Sequence, residues 1–251
     1  MRQRSNSFLT SLAATATVSL MAATVAMAAT IVGDASSNVL TGTDQRDQIV
    51  GRGGDDTIHA LAARDLVRGG TGNDTLDGGR GCDRVFGGAG GDTIEGGPGF
   101  SFGRFRCERL HGGLGSDVSS GGPGRDFMSG GQGDDRQSGG PGADKIFANP
   151  GRDQSDGGDG PDILWALARV DVTAIGDPEG DELTGGNGAD RFLVRDGEVD
   201  LVHCGEGHDG VLADQFDQVD NDCERVIRRD ITSLDQVDDG EENRTENPSL
   251  D

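Results

Sequence analysis

The chain has 251 residues, of which 45 are glycine, and its 45 aspartates and glutamates against 22 lysines and arginines give a formal net charge of −23. Only 32% of the residues are hydrophobic and 4% are aromatic. A conventional apolar core is therefore excluded, because glycine loses more backbone entropy on folding than any other residue and little apolar surface is available to offset that loss. The chain must be disordered or held together by something besides apolar burial.

Residues 1–28 are predicted to be a signal peptide. Arg2 and Arg4 make a basic start, an apolar stretch follows, and the small residues around Ala28 suit cleavage. A membrane anchor is the competing interpretation, but threonines and small residues interrupt the apolar stretch. We therefore expect an exported chain with no membrane span after cleavage, in an oxidising compartment rich in calcium.

A nine-residue repeat organises residues 33–212. Its complete form, GGTGNDTLD from Gly69, has glycine at places 1, 2 and 4, aspartate at place 6 and an aliphatic residue at place 8. Place 6 is aspartate in every unit except the first and the eighth, which have Asn38 and Glu108. An excursion at 96–102 interrupts the frame. A disordered acidic linker is the competing interpretation, but disorder requires no such phase.

This pattern resembles the hemolysin-type calcium-binding repeat, the RTX nonapeptide repeat of secreted bacterial proteins. The resemblance implies an all-β fold, a right-handed parallel β-roll (β-solenoid) with two repeats per coil and Ca²⁺ between successive turns on the same side. The residue chemistry agrees, because glycines permit tight turns and the place 6 carboxylate adds a hard oxygen ligand suited to Ca²⁺. With one inward side chain per nine residues, the roll is expected to need calcium in order to fold.

The calcium ligands are predicted at place 6 of the best-preserved units. Most of these units contain a full GGxGxD turn, whereas the turns of Asp56 and Asp153 are slightly degraded. The units opening at Ala60 and Ala166 keep the aspartate but lack every glycine, so we expect strand geometry there with weak or absent metal. The predicted ligand set is Asp56, Asp74, Asp83, Asp92, Asp117, Asp126, Asp135, Asp144, Asp153, Asp162 and Asp190.

Polar residues recur at place 8 every eighteen residues, and because eighteen residues make one coil, they are predicted to stack in one sheet. This sheet, between about Gly112 and Ala174, should pack poorly and open first when calcium is removed. A register shift of the inward face is the competing interpretation. The polar positions are Ser119, Gln137, Ser155 and Thr173, and the apolar positions assigned to the other sheet are Met128, Ile146, Leu164 and Leu183.

The four cysteines are predicted to form two disulfides, Cys82–Cys107 and Cys204–Cys223. If the excursion loops out, the first pair lies on neighbouring coils, and a strand spacing of about 4.8 Å is within the reach of a disulfide. Metal binding by cysteine is the competing interpretation, but no pair has CxxC spacing.

The C-terminal part is predicted to comprise a cap and a tail. Residues 213–229 would form a cap fastened by the second disulfide, which protects the open end of the roll. Pairs of an acid and a valine two residues later continue into this cap with shortening spacing. Residues 230–251 are polar and acidic and are predicted to be disordered. The pairs are Asp200/Val202, Asp209/Val211, Asp217/Val219 and Glu224/Val226.

Residues 96–109 differ from the repeats because they hold three phenylalanines and three arginines. The sequence GFSFG around Ser101 formally matches a nucleophile elbow, but that motif requires an α/β sheet, which is not predicted here. A loop that covers the core edge and a protrusion that binds a partner are the other interpretations. Nucleic-acid binding is disfavoured by the surrounding negative charge.

The sequence therefore predicts a secreted, extracellular, non-enzymatic protein that folds on binding Ca²⁺ and is structural or adhesive at the cell exterior. An extracellular binding module that takes a protein or glycan partner through the Phe/Arg-rich loop is the alternative. A secreted hydrolase using Ser101 is a distant one, since no segment long enough for a catalytic module is expected before the repeats.

Overall fold

The structure is a computed structural model that describes residues 27–99, 108–166, 176, 178 and 180–232. Most of the predicted signal peptide lies outside these residues, as do Ser101, Cys107 and Thr173. No helix in the described ranges is long and apolar enough to cross a membrane.

The described residues form short strands separated by glycine-rich turns. Most strands have three to seven residues, because each nine-residue unit leaves only places 7 to 9 and the first glycines in extended conformation before the backbone turns. The strands are β1 (Thr30–Val32), β2 (Val39–Thr41), β3 (Gln48–Gly53), β4 (Thr57–His59), β5 (Ala62–Ala63), β6 (Leu66–Thr71), β7 (Thr75–Asp77), β8 (Arg80–Gly81), β9 (Arg84–Ala89), β10 (Thr93–Glu95), β11 (Arg109–Leu114), β12 (Val118–Ser120), β13 (Phe127–Gln132), β14 (Arg136–Pro141), β15 (Lys145–Phe147), β16 (Gln154–Asp159), β17 (Ile163–Trp165), β18 (Glu182–Gly188), β19 (Arg191–Val194), β20 (Leu201–Gly207), β21 (Gly210–Ala213), β22 (Gln218–Val219) and β23 (Arg225–Arg228).

Two long parallel sheets run the length of the roll. The first has the order β1-β3-β6-β9-β11-β13-β15-β17-β19-β21-β23, and the second has the order β2-β4-β7-β10-β12-β14-β16-β18-β20-β22. Strands β5 and β8 pair separately. Within the regular part, paired residues are eighteen apart, as in Leu110 with Met128, which is two units per coil. The predicted parallel β-roll is confirmed.

A single row of place 8 side chains from each sheet fills the space between the sheets. In the first sheet this row runs through Ile49, Val67 and Val85, all fully buried, and continues to Phe192 and beyond. In the second sheet it runs through residues such as Ile58 and Leu76. The core is thus only two side chains thick, so apolar burial holds each coil weakly to the next.

The polar row lies in the second sheet, where Ser119 pairs with Gln137 and Gln137 with Ser155. All three are buried. The predicted fourth member is wrong, because Ser155 pairs with Leu183 and not with Thr173. The assignment of Leu183 to the other sheet is wrong for the same reason.

The cause is a second excursion, within the unit opening at Ala166. The paired residues on either side of it are twenty-eight apart instead of eighteen. Ala166 itself is buried and its amide donates to Leu193 O, as expected for the first place of a turn. The ten additional residues follow Ala166 in the chain. The sheet position expected for the strand of this unit is therefore occupied by β18.

The first excursion begins later than 96–102. Gly96 and Gly97 occupy stacked turn positions, since the Gly96 amide donates to Ser120 O and Gly97 has φ +96°. The Gly99 amide still donates to Pro123 O in the next coil. The paired strands β9 and β11 are twenty-five residues apart, so seven residues are inserted after Gly99. The three phenylalanines and two of the three arginines of this segment lie within 100–107, outside the described residues, whereas Arg109 begins β11.

Both ends of the roll extend past the repeat. Strand β1 precedes Gly33, the predicted first residue of the roll, and pairs with β3. At the other end, β22 and β23 continue the two sheets through Val202–Val219 and Val211–Val226 pairs. The tail predicted from 230 is still packed at Ile231, which is 1% exposed and exchanges two hydrogen bonds with Gln215.

Cys204 and Cys223 form a disulfide between β20 and the segment before β23, with Cα atoms 5.3 Å apart. Cys82 is also disulfide-bonded. Its predicted partner, Cys107, is not among the described residues, so this pairing stays a prediction.

Candidate metal centre

Two ladders of carboxylates run along the roll, one at each edge, and both are built from place 6. In each turn, the backbone amide of the place 6 residue donates a hydrogen bond to the side chain of the place 6 residue in the next coil. Asp126 N donates to Asp144 Oδ1 at 2.7 Å and Asp144 N donates to Asp162 Oδ1 at 2.7 Å. One edge is lined by Asp47, Asp65, Asp83, Glu108, Asp126, Asp144, Asp162, Asp190, Asp209 and Glu224. The other is lined by Asn38, Asp56, Asp74, Asp92, Asp117, Asp135, Asp153, Asp181, Asp200 and Asp217.

The first glycine of each turn makes room for this carboxylate. A Cβ added at Gly121 would lie 2.8 Å from Asp126 Oδ2 and 2.8 Å from Gly139 O of the next coil. The place 1 residue of this turn therefore lies between the turn's own carboxylate and a main-chain carbonyl, and a Cβ at Gly121 would displace one of them.

The glycines at place 2, and many of those at place 4, adopt a left-handed backbone, as at Gly131 (φ +120°) and Gly133 (φ +121°). A Cβ at either position would collide with a carbonyl oxygen of the preceding coil, that of Gly113 or Gly115. Carbonyl oxygens of consecutive turns are thus stacked closely along each edge, next to the carboxylate ladder.

The second oxygen of most ladder carboxylates has no hydrogen-bond partner among the described residues. These atoms are buried, and nothing in the described part of the chain donates to them. An orphaned buried carboxylate oxygen is costly, since the group has lost water without gaining a partner. The atoms concerned are Oδ2 of Asp56, Asp65, Asp74, Asp83, Asp92, Asp117, Asp126, Asp135, Asp144, Asp162, Asp181, Asp190, Asp200 and Asp209, and Oε1 of Glu108.

Burial raises the pKa of these carboxyls despite the backbone hydrogen bonds that they accept. It raises the pKa of Asp83, Asp92 and Asp126 to about 7, and that of Glu108 to about 9. Neighbouring carboxylates in the ladder add a smaller upward effect, as Asp65 does on the pKa of Asp83. Each ladder therefore favours a bound proton or a bound cation over a bare negative charge.

The donor set fits calcium. Carboxylate and carbonyl oxygens are the hard ligands that Ca²⁺ takes in flexible arrangements of six to eight, and neither ladder offers the nitrogen or sulfur ligands typical of zinc or copper. Another group of potential metal ligands comprises Cys204, Cys223 and Asp222. It is not a comparable site, because the two sulfurs form the disulfide.

All eleven aspartates predicted as ligands lie in the two ladders. Sequence reasoning missed further members because it ranked turns by their glycines. The turn opening at Ala60 follows the path of a glycine turn, with Leu61 at φ +78° and Ala63 at φ +94°, and its Asp65 accepts and donates the usual ladder bonds. The strand geometry expected there is present as β5, and the expectation of weak or absent metal stays a prediction. An aspartate at place 6, whatever the glycines of its turn, is the sequence signal that would have identified Asp47, Asp65, Asp181, Asp200 and Asp209.

A parallel roll of nine-residue turns with stacked carboxylates and carbonyls defines a calcium-stabilised β-solenoid. The model of the RTX calcium-binding nonapeptide repeat (4 copies) matches the chain at 32–67, 59–94, 68–101, 111–136, 129–164 and 173–198, together more than half of its length. The chain belongs to this family, and calcium is the ion that these repeats bind. No curated protein matches the chain as a relative.

The β-roll of this family is a non-catalytic calcium-binding fold. The chain is thus a calcium-binding repeat protein whose sheets serve a structural purpose.

Proposed function

We propose that the protein is exported through its N-terminal segment, remains unfolded while calcium is scarce, and forms the roll outside the cell as a structural or adhesive element. The observation that carries this proposal is the pair of buried carboxylate ladders, since so many orphaned oxygens can be buried together only with protons or cations. The eleven aspartates predicted from the repeat, with the further ladder members, supply the ligands.

Two features support export. The described disulfide requires an oxidising compartment to persist, and proteins with this repeat are typically secreted. The apolar stretch before Ala28 is the segment that would direct export. Fractionation of the producing cells, with N-terminal sequencing of the exported chain, tests this part: a chain retained inside with an intact N-terminus contradicts it.

Calcium-dependent folding is tested by circular dichroism of the full chain in chelator and in millimolar calcium. Extracellular calcium modules bind with dissociation constants of about 10⁻⁴–10⁻³ M, so the transition is expected in that range. A change from a disordered to a β spectrum on adding calcium is the expected result. Identical spectra in the two conditions would remove the main proposal.

Partner binding is a second candidate, favoured by a row of rings on the outer face of the first sheet. Phe147 stacks on Trp165 with centroids 4.3 Å apart, and the Lys145 ammonium lies 5.2 Å from the Trp165 centroid. Phe127 lies 4.9 Å from Phe147 on the other side. Trp165 is the one tryptophan in the sequence, so its fluorescence reports binding directly. Deletion of 100–106, the seven residues inserted after Gly99, separates a contribution of the Phe/Arg-rich loop from that of this face.

A further inference from the structure

We infer that the turn between β19 and β20 holds a separate cation site, built differently from the repeat turns and filled at lower calcium concentrations than they are. Its ligands are Asp196 and Glu198, which lie outside both ladders, together with Asp200 of the second ladder. Each full GGxGxD turn buries one carboxylate, whereas this turn buries three. The inference does not depend on how many repeat turns bind calcium.

The three carboxylates converge on one point. One ligand oxygen from each residue lies within 4.8 Å of those of the other two. Calcium–oxygen distances are about 2.3–2.6 Å, so oxygens on opposite sides of one ion are separated by up to about 5 Å. The spacing therefore accommodates one Ca²⁺ among the three groups.

The hydrogen bonds leave oxygens available in this turn. Asp196 Oδ1 accepts from the Glu198 amide at 3.1 Å, and Asp200 Oδ1 accepts from the Asp181 amide at 2.7 Å. The other oxygens, Oδ2 of Asp196 and of Asp200, are in fully buried residues and accept no hydrogen bond. Each aspartate is thus oriented by one oxygen and keeps a second, buried oxygen that accepts no hydrogen bond.

The acidic residues of the next turn differ, because both oxygens of Asp214 are used locally. Asp214 Oδ2 accepts from the Gly197 amide at 2.9 Å and its Oδ1 from the Phe216 amide at 2.8 Å. Burial raises the pKa of Asp214 and of Asp217, and the nearby Arg228 partly offsets this effect on both. Asp214 therefore positions the turn through Gly197 and is not placed among the ligands.

The negative charge of three carboxylates gives this site a higher affinity for calcium than a repeat turn has. Burial raises the pKa of Asp196 and of Asp200, and repulsion from neighbouring carboxylates, Glu198 for Asp196 and Asp196 for Asp200, raises both further. A divalent cation relieves all of these repulsions at once, and affinity for Ca²⁺ rises with the number of charged ligands. A repeat turn offers one such group per coil, so the three-carboxylate turn binds first as calcium rises.

The site lies where the roll passes into its cap. The following strand, β20, carries Cys204 of the disulfide and pairs with β22 of the cap. A cation in this turn would order the C-terminal coil before the repeats are loaded and give them a folded end on which to stack.

The experiment measures calcium binding to the full chain by competition with a chromophoric chelator and compares the variant Asp196→Asn/Glu198→Gln with Asp126→Asn. The wild-type chain is expected to show one tight ion and a broad weaker class. The double variant should lose the tight ion or weaken it at least tenfold, while Asp126→Asn should keep it and alter only the weaker class. Hydrogen exchange at 195–213 should become slow at the concentration that fills the tight site.

A tight class that is unchanged in the double variant overturns the inference, and so does the absence of any tight class. If the double variant does not regain a β spectrum in saturating calcium, Glu198→Gln alone is measured, because it leaves Asp196 and the Glu198 amide in place. The same weakening is expected there, and unaltered tight binding overturns the inference equally. In Asp126→Asn, a reduced weaker class with the tight ion retained supports the separate site.

Discussion

The amide of Asp117 donates a 2.8 Å hydrogen bond to Oδ1 of Asp135, one coil further along the roll. Oδ2 of Asp135 is buried and accepts no hydrogen bond. One carboxylate therefore has two roles: its first oxygen joins neighbouring coils and its second is free for a cation. Asparagine can keep the first role, because its amide oxygen accepts a hydrogen bond, but it cannot supply a charged ligand.

Asp135→Asn should therefore weaken calcium-dependent folding while leaving the folded roll intact. At tenfold saturation a site contributes about 1.4 kcal/mol, so losing one site should cost roughly that amount and move the folding midpoint to higher calcium. Circular dichroism during a calcium titration measures this shift.

Asp134→Asn is the matched control, since it removes the same charge from the exposed neighbouring residue. Its midpoint should stay close to that of the wild-type chain. Equal shifts in the two variants would mean that net charge, and not ligation by the ladder, governs folding.

Acid should partly replace calcium. Burial raises the pKa of Asp83, Asp92, Asp126, Asp135 and Asp162 from 3.8 to about 7. A carboxyl whose pKa is raised by folding destabilises the folded state when it is charged, and protonation removes this penalty. The stabilisation of the folded state by protonation is complete below about pH 4 and is lost as the pH rises through 7. In chelator, the β signal should therefore increase as the pH falls from 8 to 4.

Glu108 offers a specific check on this pH dependence. Its Oε2 accepts from the Asp83 amide at 2.6 Å, and its pKa is raised to about 9. Glu108→Gln keeps a hydrogen-bond acceptor and removes the titrating group, so the calcium-free variant should fold at a higher pH than the wild-type chain. A midpoint pH that is unchanged or lower in Glu108→Gln would contradict the assignment of the shift to buried ladder carboxyls.

The polar row should mark the weakest part of the second sheet. Ser119 is 6% exposed and lies between Ile94 and Gln137. Gln137, with its amide oriented to donate to Phe147 O at 3.0 Å and accept from Gly130 N at 2.9 Å, is bound across the core. Ser119 fills much less apolar volume than its neighbour Ile94. Ser119→Val should stabilise the roll by about 1 kcal/mol through added apolar burial.

Ser120→Val, at the exposed adjacent position, is the control and should change stability little. In hydrogen exchange after calcium removal, β12, β14 and β16 should lose protection before β4, β7 and β10, and Ser119→Val should delay that loss. Greater protection of the polar strands than of β4, β7 and β10 would refute the idea.

The nine-residue phase was sufficient to predict the sheets, the inward row and the ladder positions, because each depends on one residue type recurring at one place. It could not locate the second excursion, since the unit at Ala166 keeps its aspartate and loses its glycines just as the unit at Ala60 does. The unit at Ala60 stays in the roll, whereas β18 takes the sheet position expected for the unit at Ala166. Asp196 and Glu198 escaped detection because ligands were sought only at place 6, and their signal is the presence of extra acidic residues in a turn.

The turn at Ala60 leads to the last prediction. Leu61 has φ +78° and is 43% exposed, so it bears a strained backbone and gives little burial in return. A left-handed conformation costs a residue with a Cβ about 1–2 kcal/mol, whereas glycine in a flexible chain loses about 0.5–1 kcal/mol more entropy than alanine on ordering. Leu61→Gly should therefore stabilise the roll by up to about 1 kcal/mol, which thermal unfolding in saturating calcium can measure.

Leu114→Gly is the matched control, because Leu114 is 52% exposed and lies in β11 without a positive φ. There the same substitution brings only the entropy loss of glycine, and it should destabilise the roll by about 1 kcal/mol. If Leu61→Gly stabilises the roll and Leu114→Gly destabilises it, the stabilisation arises from the backbone conformation of the Ala60 turn. Destabilisation by both would show that the neighbouring coils hold Leu61 in this turn through contacts of its side chain.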